Sequence, residues 1–275
     1  MECVVREHGH RRSRVGIMIA RTGYRNPWLS CLRPNPMARL RLLCLPYAGG
    51  GTQVFRGWEP SLPSEVEVLA VRLPGRENRL REAPYVDLHA LADALLAGIP
   101  EILDRPYAIV GHSMGALLGF ELVRRLRQAG ARLPVHLIAS GYRAPHQPYP
   151  LPAIRGLPRD AFLEGVRRYN GIPASALESP ELLDLMMPAL RADFSVCETY
   201  RYSEGPPLAC PISAYGGLAD PDVQRGDLEA WGLHTTSGHV VRMFPGDHFF
   251  LQSCRDQFLE ALTRDVWAHV AAGAS

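Results

Sequence analysis

The chain has 275 residues, 47% of them hydrophobic, enough to bury the core of one α/β domain with an insertion or of two small domains. Its 30 basic residues are all arginine, which excludes a P-loop lysine, a Schiff-base or pyridoxal lysine and a Ser-Lys dyad. The net charge of +2 is uneven: residues 1–40 carry +6 and the rest −4, so the body shows no basic stripe for nucleic acid.

Residues 1–25 are charged and lack periodicity, which predicts a disordered N-terminal extension, and Met18 is an alternative start. Trp28 and an Arg-Pro-Asn-Pro run at 33–36 lead into a strand over Leu40–Leu45. A loop follows, Pro46-Tyr47-Ala48-Gly49-Gly50-Gly51. A Gly-rich loop directly after an early strand is where an α/β-hydrolase takes one oxyanion-hole amide, and Ala48 N–H is assigned that place. A second strand covers Val66–Val71 and closes in the turn Leu73-Pro74-Gly75-Arg76-Glu77. From Asp87 as N-cap, Leu88, Leu91, Leu95 and Leu96 recur at helical spacing up to Pro100.

The next stretch organises the chain. Tyr107 to Val110 reads as a buried strand, runs into Gly111-His112-Ser113-Met114-Gly115, and is followed by a helix to Gln128 with Gly130 as its C′ residue. Strand, Gly-x-Ser-x-Gly and helix in that order form a nucleophile elbow, with Ser113 exposed on a sharp turn and Met114 N–H at a helix N-terminus. Glu121, Arg124 and Arg125 on this helix read as solvated or ion-paired. A strand over Val135–Ala139 comes next. Residues 143–203 open with five prolines and continue as helical patches over Asp160–Tyr169, Ser179–Met187 and Ala189–Tyr200. This segment reads as a helical lid over the Ser113 side of the sheet. Strands resume at Pro211–Tyr215 and Val240–Phe244, and a terminal helix ends the chain.

A serine hydroxyl needs a base to take its proton and a carboxylate to orient that base. In α/β-hydrolases the order is Ser, acid, His, the last two on loops after later strands. Of the late histidines, His248 directly follows a strand. His239 opens that strand, His234 sits in a polar loop and His269 is on the terminal helix. Asp220 lies just beyond the strand that ends at Tyr215, with Asp222 as the alternative and Asp227 further off; Asp247 is too close in sequence to His248 to face it. His112 is read as a packing or hydrogen-bonding residue.

Six cysteines, at 3, 31, 44, 197, 210 and 254, show neither C-x-x-C nor zinc spacing and read as buried thiols in a reducing compartment. No His/Cys/Asp cluster has metal-ligand spacing, so no metal is expected. No apolar run reaches the length of a membrane span, and the apolar stretch at 15–20 is too short for a signal-peptide core, so the chain reads as cytoplasmic.

Several spaced stretches carry a family resemblance: Leu45–Gly50, Leu73–Glu77, Gly111–Ala116, Ser140–Pro145, Leu190–Phe194 and Phe244–Phe250, together with Trp28. Over about residues 26–265 the chain resembles the type II, or editing, thioesterases of polyketide and nonribosomal peptide biosynthesis, members of the α/β-hydrolase superfamily. The first 25 residues have no counterpart there, and Asp247 stands where the family often has glycine. The resemblance implies a mostly parallel central sheet flanked by helices. It also implies a stand-alone enzyme that hydrolyses acyl groups stalled on the phosphopantetheine arm of a carrier protein, with no cofactor of its own. Ser113, Asp220 and His248 would be catalytic, with Ala48 and Met114 N–H as the oxyanion hole. Acyl or peptidyl carrier domains are the implied partners, with no role for nucleic acid or membrane. Arg143, Arg155, Arg159, Arg167 and Arg168 are candidates to meet a carrier's acidic side on charge alone, although each taken singly reads as a solvated residue. Three rival readings stay open: a carboxylesterase or lipase acting on oxygen esters, a chain-releasing or cyclising thioesterase cut from a synthase, and a hydrolase-fold binding protein without catalysis.

Overall fold

The structure, a computed structural model, describes residues 26–167 and 179–272; the extension expected over 1–25 lies outside the described residues. Seven strands form one sheet in the order β1-β3-β2-β4-β5-β6-β7. They are β1 Leu29–Ser30, β2 Leu40–Leu45, β3 Val66–Val71, β4 Tyr107–His112, β5 His136–Ser140, β6 Ile212–Gly217 and β7 His239–Phe244. Only β1 runs antiparallel, against β3. The helices are α1 Leu88–Gly98, α2 Met114–Gln128, α3 Arg159–Arg167, α4 Pro180–Thr199, α5 Arg225–Glu229, α6 Phe250–Ser253 and α7 Arg255–Ala272.

The inner strands β2, β4, β5 and β6 are buried along their whole length because both faces of the sheet are covered there, whereas the edge strand β7 is largely half-buried. In β2, Leu40, Leu42 and Cys44 join one core cluster, which includes Phe55, Trp58 and Phe258 of α7. Leu43 and Leu45 join the other, formed with α1, α2 and Trp231. The period of two thus feeds both layers at once. Asp87 caps α1 by accepting from Ala90 N at 2.8 Å, and Leu88, Leu91, Ala92 and Leu95 are its buried stripe. Gly130, with φ +63°, ends α2 in the left-handed region.

Apart from one-residue shifts in β5, which runs from His136 to Ser140, and β7, which starts at His239, four details differ from the sequence reading. β6 starts at Ile212 because Pro211 has no N–H to give the ladder, and it runs on to Gly217. β4 continues through Gly111 to His112, up to the elbow itself. β1 was not anticipated, since two residues have no periodicity to read; its register pairs Leu29 with Val71. The two patches expected on either side of Pro188 are a single helix, α4. Proline removes one ladder bond, but Leu183 on one side and Leu190 and Phe194 on the other are buried in a common cluster with Phe162, Leu163 and Val166 of α3. That shared burial holds both halves on one axis. Residues 168 and 169 of the patch expected over Asp160–Tyr169 lie outside the described residues.

The helices α3 and α4 lie between β5 and β6 in the chain and form this third, separate cluster beside the ends of the strands. No helix among the described residues is long and apolar enough to cross a membrane.

Candidate active site

The turn from β4 into α2 is sharp enough to place Ser113 at φ 54°, ψ −119°, a region that a side chain makes costly. The two glycines around it answer to contacts. A Cβ at Gly111 would lie 2.0 Å from the Gly115 carbonyl oxygen, and one at Gly115 would lie 2.2 Å from that of Leu45. Strand β2 therefore passes against the elbow, which brings the loop after β2 to the same place. The elbow is pinned from the other side, where Ser113 N donates to Ser140 O at 2.7 Å.

Asp220 follows β6 and is almost fully buried. Its Oδ1 accepts from the amides of Asp222 at 2.9 Å and Val223 at 3.3 Å. Its Oδ2 accepts from His248 Nδ1 at 2.7 Å. Since a carboxylate can only accept, that nitrogen carries the proton. His248 lies just after β7, buried, with Phe249 edge-on to its ring at 5.3 Å and the ring of His112 at 5.2 Å. Ser113, His248 and Ala48 line one narrow cavity of about 50 Å³, walled by Leu190 and Phe194 of α4 among others. A larger cavity of about 420 Å³ shares Tyr142, Tyr149 and Cys197 with it. Met114 opens α2, so its amide lies in the first turn, where the helix supplies no acceptor.

The other candidates go elsewhere. His239 opens β7, and His269 falls on α7. His234 is buried against His146, with ring nitrogens 2.7 Å apart. Asp222 contributes backbone, its N–H to Asp220 and its carbonyl to Arg143 at 2.7 Å. Asp227 caps α5, and Asp247 accepts from Phe249 N at 2.9 Å. His112 is buried with Nδ1 2.9 Å from Ser140 Oγ, and burial holds its pKa well below the usual histidine value, so the ring is neutral. The Cys197 thiol on the cavity wall is pushed up by burial and then by the charges of Asp193 and Glu198, which keeps it protonated. Among the described residues no group of three His, Cys, Asp or Glu is placed to hold a metal.

Of the arginines singled out on charge, Arg155 pairs with Glu198 at 3.0 Å, Arg159 with Asp184 at 2.8 Å and Arg167 with Glu164 at 3.1 Å. Arg143 reaches Asp227 at 4.0 Å, and Arg168 lies outside the described residues. The described four already have acidic partners in this chain. The geometry also brings together the turn after β3 and the helix α4, a pairing the sequence does not announce. Arg76, from the turn after β3, grips Asp193 of α4 through two bonds of 2.8 Å, and Asp193 accepts from Gly49 N at 2.7 Å. No periodicity or spacing signals a pair this far apart; the sole trace is that both lie in short stretches shared with one family.

The thioesterase domain family matches residues 40–266. The gramicidin S biosynthesis protein GrsT of Aneurinibacillus migulanus is 41% identical over 241 residues, covering 88% of this chain and 94% of that protein. Among solved structures, the RedJ thioesterase from the prodiginine pathway of Streptomyces coelicolor superposes with a TM-score of 0.78 at 42% identity, covering 82% of this chain and 85% of that one. The type II thioesterase BorB from the borrelidin biosynthetic cluster superposes with a TM-score of 0.80 at 35% identity, over 88% and 98% of the two chains. A mostly parallel sheet with helices on both faces, an elbow after its central strand and these likenesses agree: the chain belongs to the thioesterase domain family and is a thioester hydrolase of the type II kind.

Proposed function

We propose that the protein removes acyl groups from the phosphopantetheine arm of carrier proteins in a nonribosomal peptide or polyketide pathway, by a Ser113–His248–Asp220 acyl-enzyme mechanism. The observation that carries this reading is the 2.7 Å Asp220–His248 bond beside a strained Ser113 in a shared cavity.

With Nδ1 committed to Asp220, Nε2 is the nitrogen that takes the Ser113 proton as Oγ attacks the thioester carbon. The carbonyl oxygen becomes an oxyanion, for which the amides of Ala48 and Met114 are the donors. Asp220 stabilises the imidazolium that forms. The C–S bond then breaks, the thiol leaves with the proton from His248, and the acyl group stays on Ser113 Oγ. Water gives a proton to His248 and attacks the ester, which releases the acid and restores Ser113. Every proton has a place among these side chains, and the pantetheine belongs to the substrate. The cavity of about 50 Å³ beside Ser113 is walled by apolar side chains that suit the carbonyl end of an acyl group. Longer chains need either movement of the helical lid, formed by α3 and α4, or the neighbouring 420 Å³ cavity.

Two measurements test the reading. Acyl-N-acetylcysteamine should be hydrolysed faster than the matching p-nitrophenyl ester, and intact mass should show acyl groups leaving a loaded carrier protein. Ser113→Ala should lower turnover on the order of 10³-fold or more while the protein stays folded. Hydrolysis unchanged in Ser113→Ala would remove the catalytic assignment.

A further inference from the structure

We infer that Arg76 and Asp193 are positioning residues for the oxyanion loop, so that the loop takes its catalytic shape only while the lid helix α4 is seated. The inference rests on the proposed thioesterase chemistry and on Ala48 N–H as an oxyanion donor.

Residues 49–51 are three consecutive glycines, the stretch of backbone with the most conformations to lose. Inside the loop a turn bond from Gly50 N to Tyr47 O at 2.9 Å shapes the first half, and the surroundings must fix the rest. They do it at four points. Gly49 N donates to Asp193 Oδ2 at 2.7 Å, and Arg76 Nη1 donates to Gly50 O at 2.7 Å. Glu77 Oε1 accepts from Thr52 N at 2.7 Å, and the Thr52 hydroxyl donates to the same carboxylate. Ala48 N is one peptide away from the first of these ties. Adjacent residues of one turn, Arg76 and Glu77, thus hold the middle and the end of the loop, and the lid holds its beginning.

The lid contact is an ion pair and is buried. Arg76 and Asp193 side chains are 10% and 3% exposed and meet in the two-pronged geometry that fixes orientation as well as charge. Burying two charges is expensive, and apolar residues would join helix to loop at lower cost. What apolar residues cannot do is accept from Gly49 N–H and donate to Gly50 O. Shape agrees with charge: a Cβ at Gly49, where φ is +79°, would come within 2.7 Å of Leu190 Cδ1, one turn before Asp193. Glycine at 49 lets α4 come close enough for the carboxylate to reach the amide. Should α4 lift away, the Gly49 amide loses its acceptor and Arg76 its carboxylate. The Tyr47–Ala48 peptide that carries the oxyanion donor is then left with the turn bond from Gly50 N to Tyr47 O at 2.9 Å, without the tie at the next peptide.

The test uses the whole chain with Asp193→Ala, Asp193→Asn and Arg76→Lys, an acyl-N-acetylcysteamine substrate, and an alkylboronic acid whose tetrahedral adduct places an oxygen in the oxyanion site. Asp193→Ala should lower kcat about 10- to 100-fold, somewhat less than deletion of an oxyanion donor, with KM moving no more than about 3-fold. The boronate inhibition constant should rise in step with the loss in kcat. Asp193→Asn keeps an acceptor for Gly49 N–H and should lose less. Folded Asp193→Ala with kcat within about 2-fold of the unaltered protein, or with its whole loss in KM, overturns the inference. Should Asp193→Ala fail to fold, Arg76→Lys, which cannot make the two-pronged bond to Asp193 while holding Gly50 O, decides by the same readouts. Failure of both to fold shows a purely structural pair and also overturns it. Loss of the underlying reading looks different, because the unaltered chain would then not turn over thioester or Ser113→Ala would.

Discussion

Asp220 shows how much one carboxylate settles. Its Oδ1 is saturated by two backbone amides, so only Oδ2 faces His248, and the imidazole is held in one tautomer. Asp220→Asn retains the size but offers an amide that can present a donor to Nδ1, which favours the opposite tautomer. We expect kcat to fall on the order of 10³- to 10⁴-fold with little change in Tm, checked by steady-state kinetics beside thermal melting. The positions of Ser113, Asp220 and His248 can be picked out in the sequence because each comes shortly after the end of a strand, and strand ends are visible where apolar runs give way to turn residues. The 2.7 Å contact between the last two is a matter of how β6 and β7 lie side by side, with Gly217 paired to Phe244.

At the scale of elements, the joint between α2 and the end of α4 is polar. Glu121 is buried and accepts from Arg124 Nη1 at 2.8 Å, Arg125 Nη1 at 2.7 Å and the Tyr200 hydroxyl at 2.8 Å. Tyr200 directly follows α4, so one carboxylate ties the end of α4 to α2, the helix that follows Ser113. In the sequence these three charges could equally have been a solvated face, since their spacing on the helix is the same in either case. Removing the acid leaves two arginines, 10% and 12% exposed, short of a partner. Glu121→Ala should therefore cost about 3–5 kcal/mol of stability, seen as a lowered urea midpoint. A loss under about 1 kcal/mol would mean that water and the pair Arg125 already makes with Asp93 are enough for both arginines. The same scale explains why Pro188 was misleading: proline is a local signal, whereas the burial that keeps α4 continuous comes from α3 and the loop after β2.

For the molecule as a whole, two buried histidines set an acid limit. His112 is held well below its usual pKa by burial, then by His248. His234 is lowered from 6.5 to about 4 by burial, then by His146 and Arg124. In both cases the unfolded chain binds the proton more tightly than the folded one. Their contribution is therefore fully present above pH 6.5 and is lost as pH falls from there toward the folded value. Melting temperature should be flat above that pH and drop between 6.5 and about 4. His234→Gln, which cannot titrate, should flatten the slope in that window; an unchanged slope would place the acid limit elsewhere.

Strand, turn and helix depend on neighbours in the chain, and the sequence contains what is needed to read them: apolar runs for a sheet covered on both faces, Asp87 as a cap, Gly130 as a stop, and Gly111 and Gly115 where backbones pass too closely for a Cβ. The fold class and the family follow from these local features and their order. Arg76 against Asp193, Glu121 against Tyr200, and Phe162 with Val166 against Leu190 and Phe194 join residues remote in the chain, and nothing local encodes those pairings. They arise only once packing has excluded water from both partners, because a charge or an aromatic ring selects its neighbour when solvent is no longer a competitor.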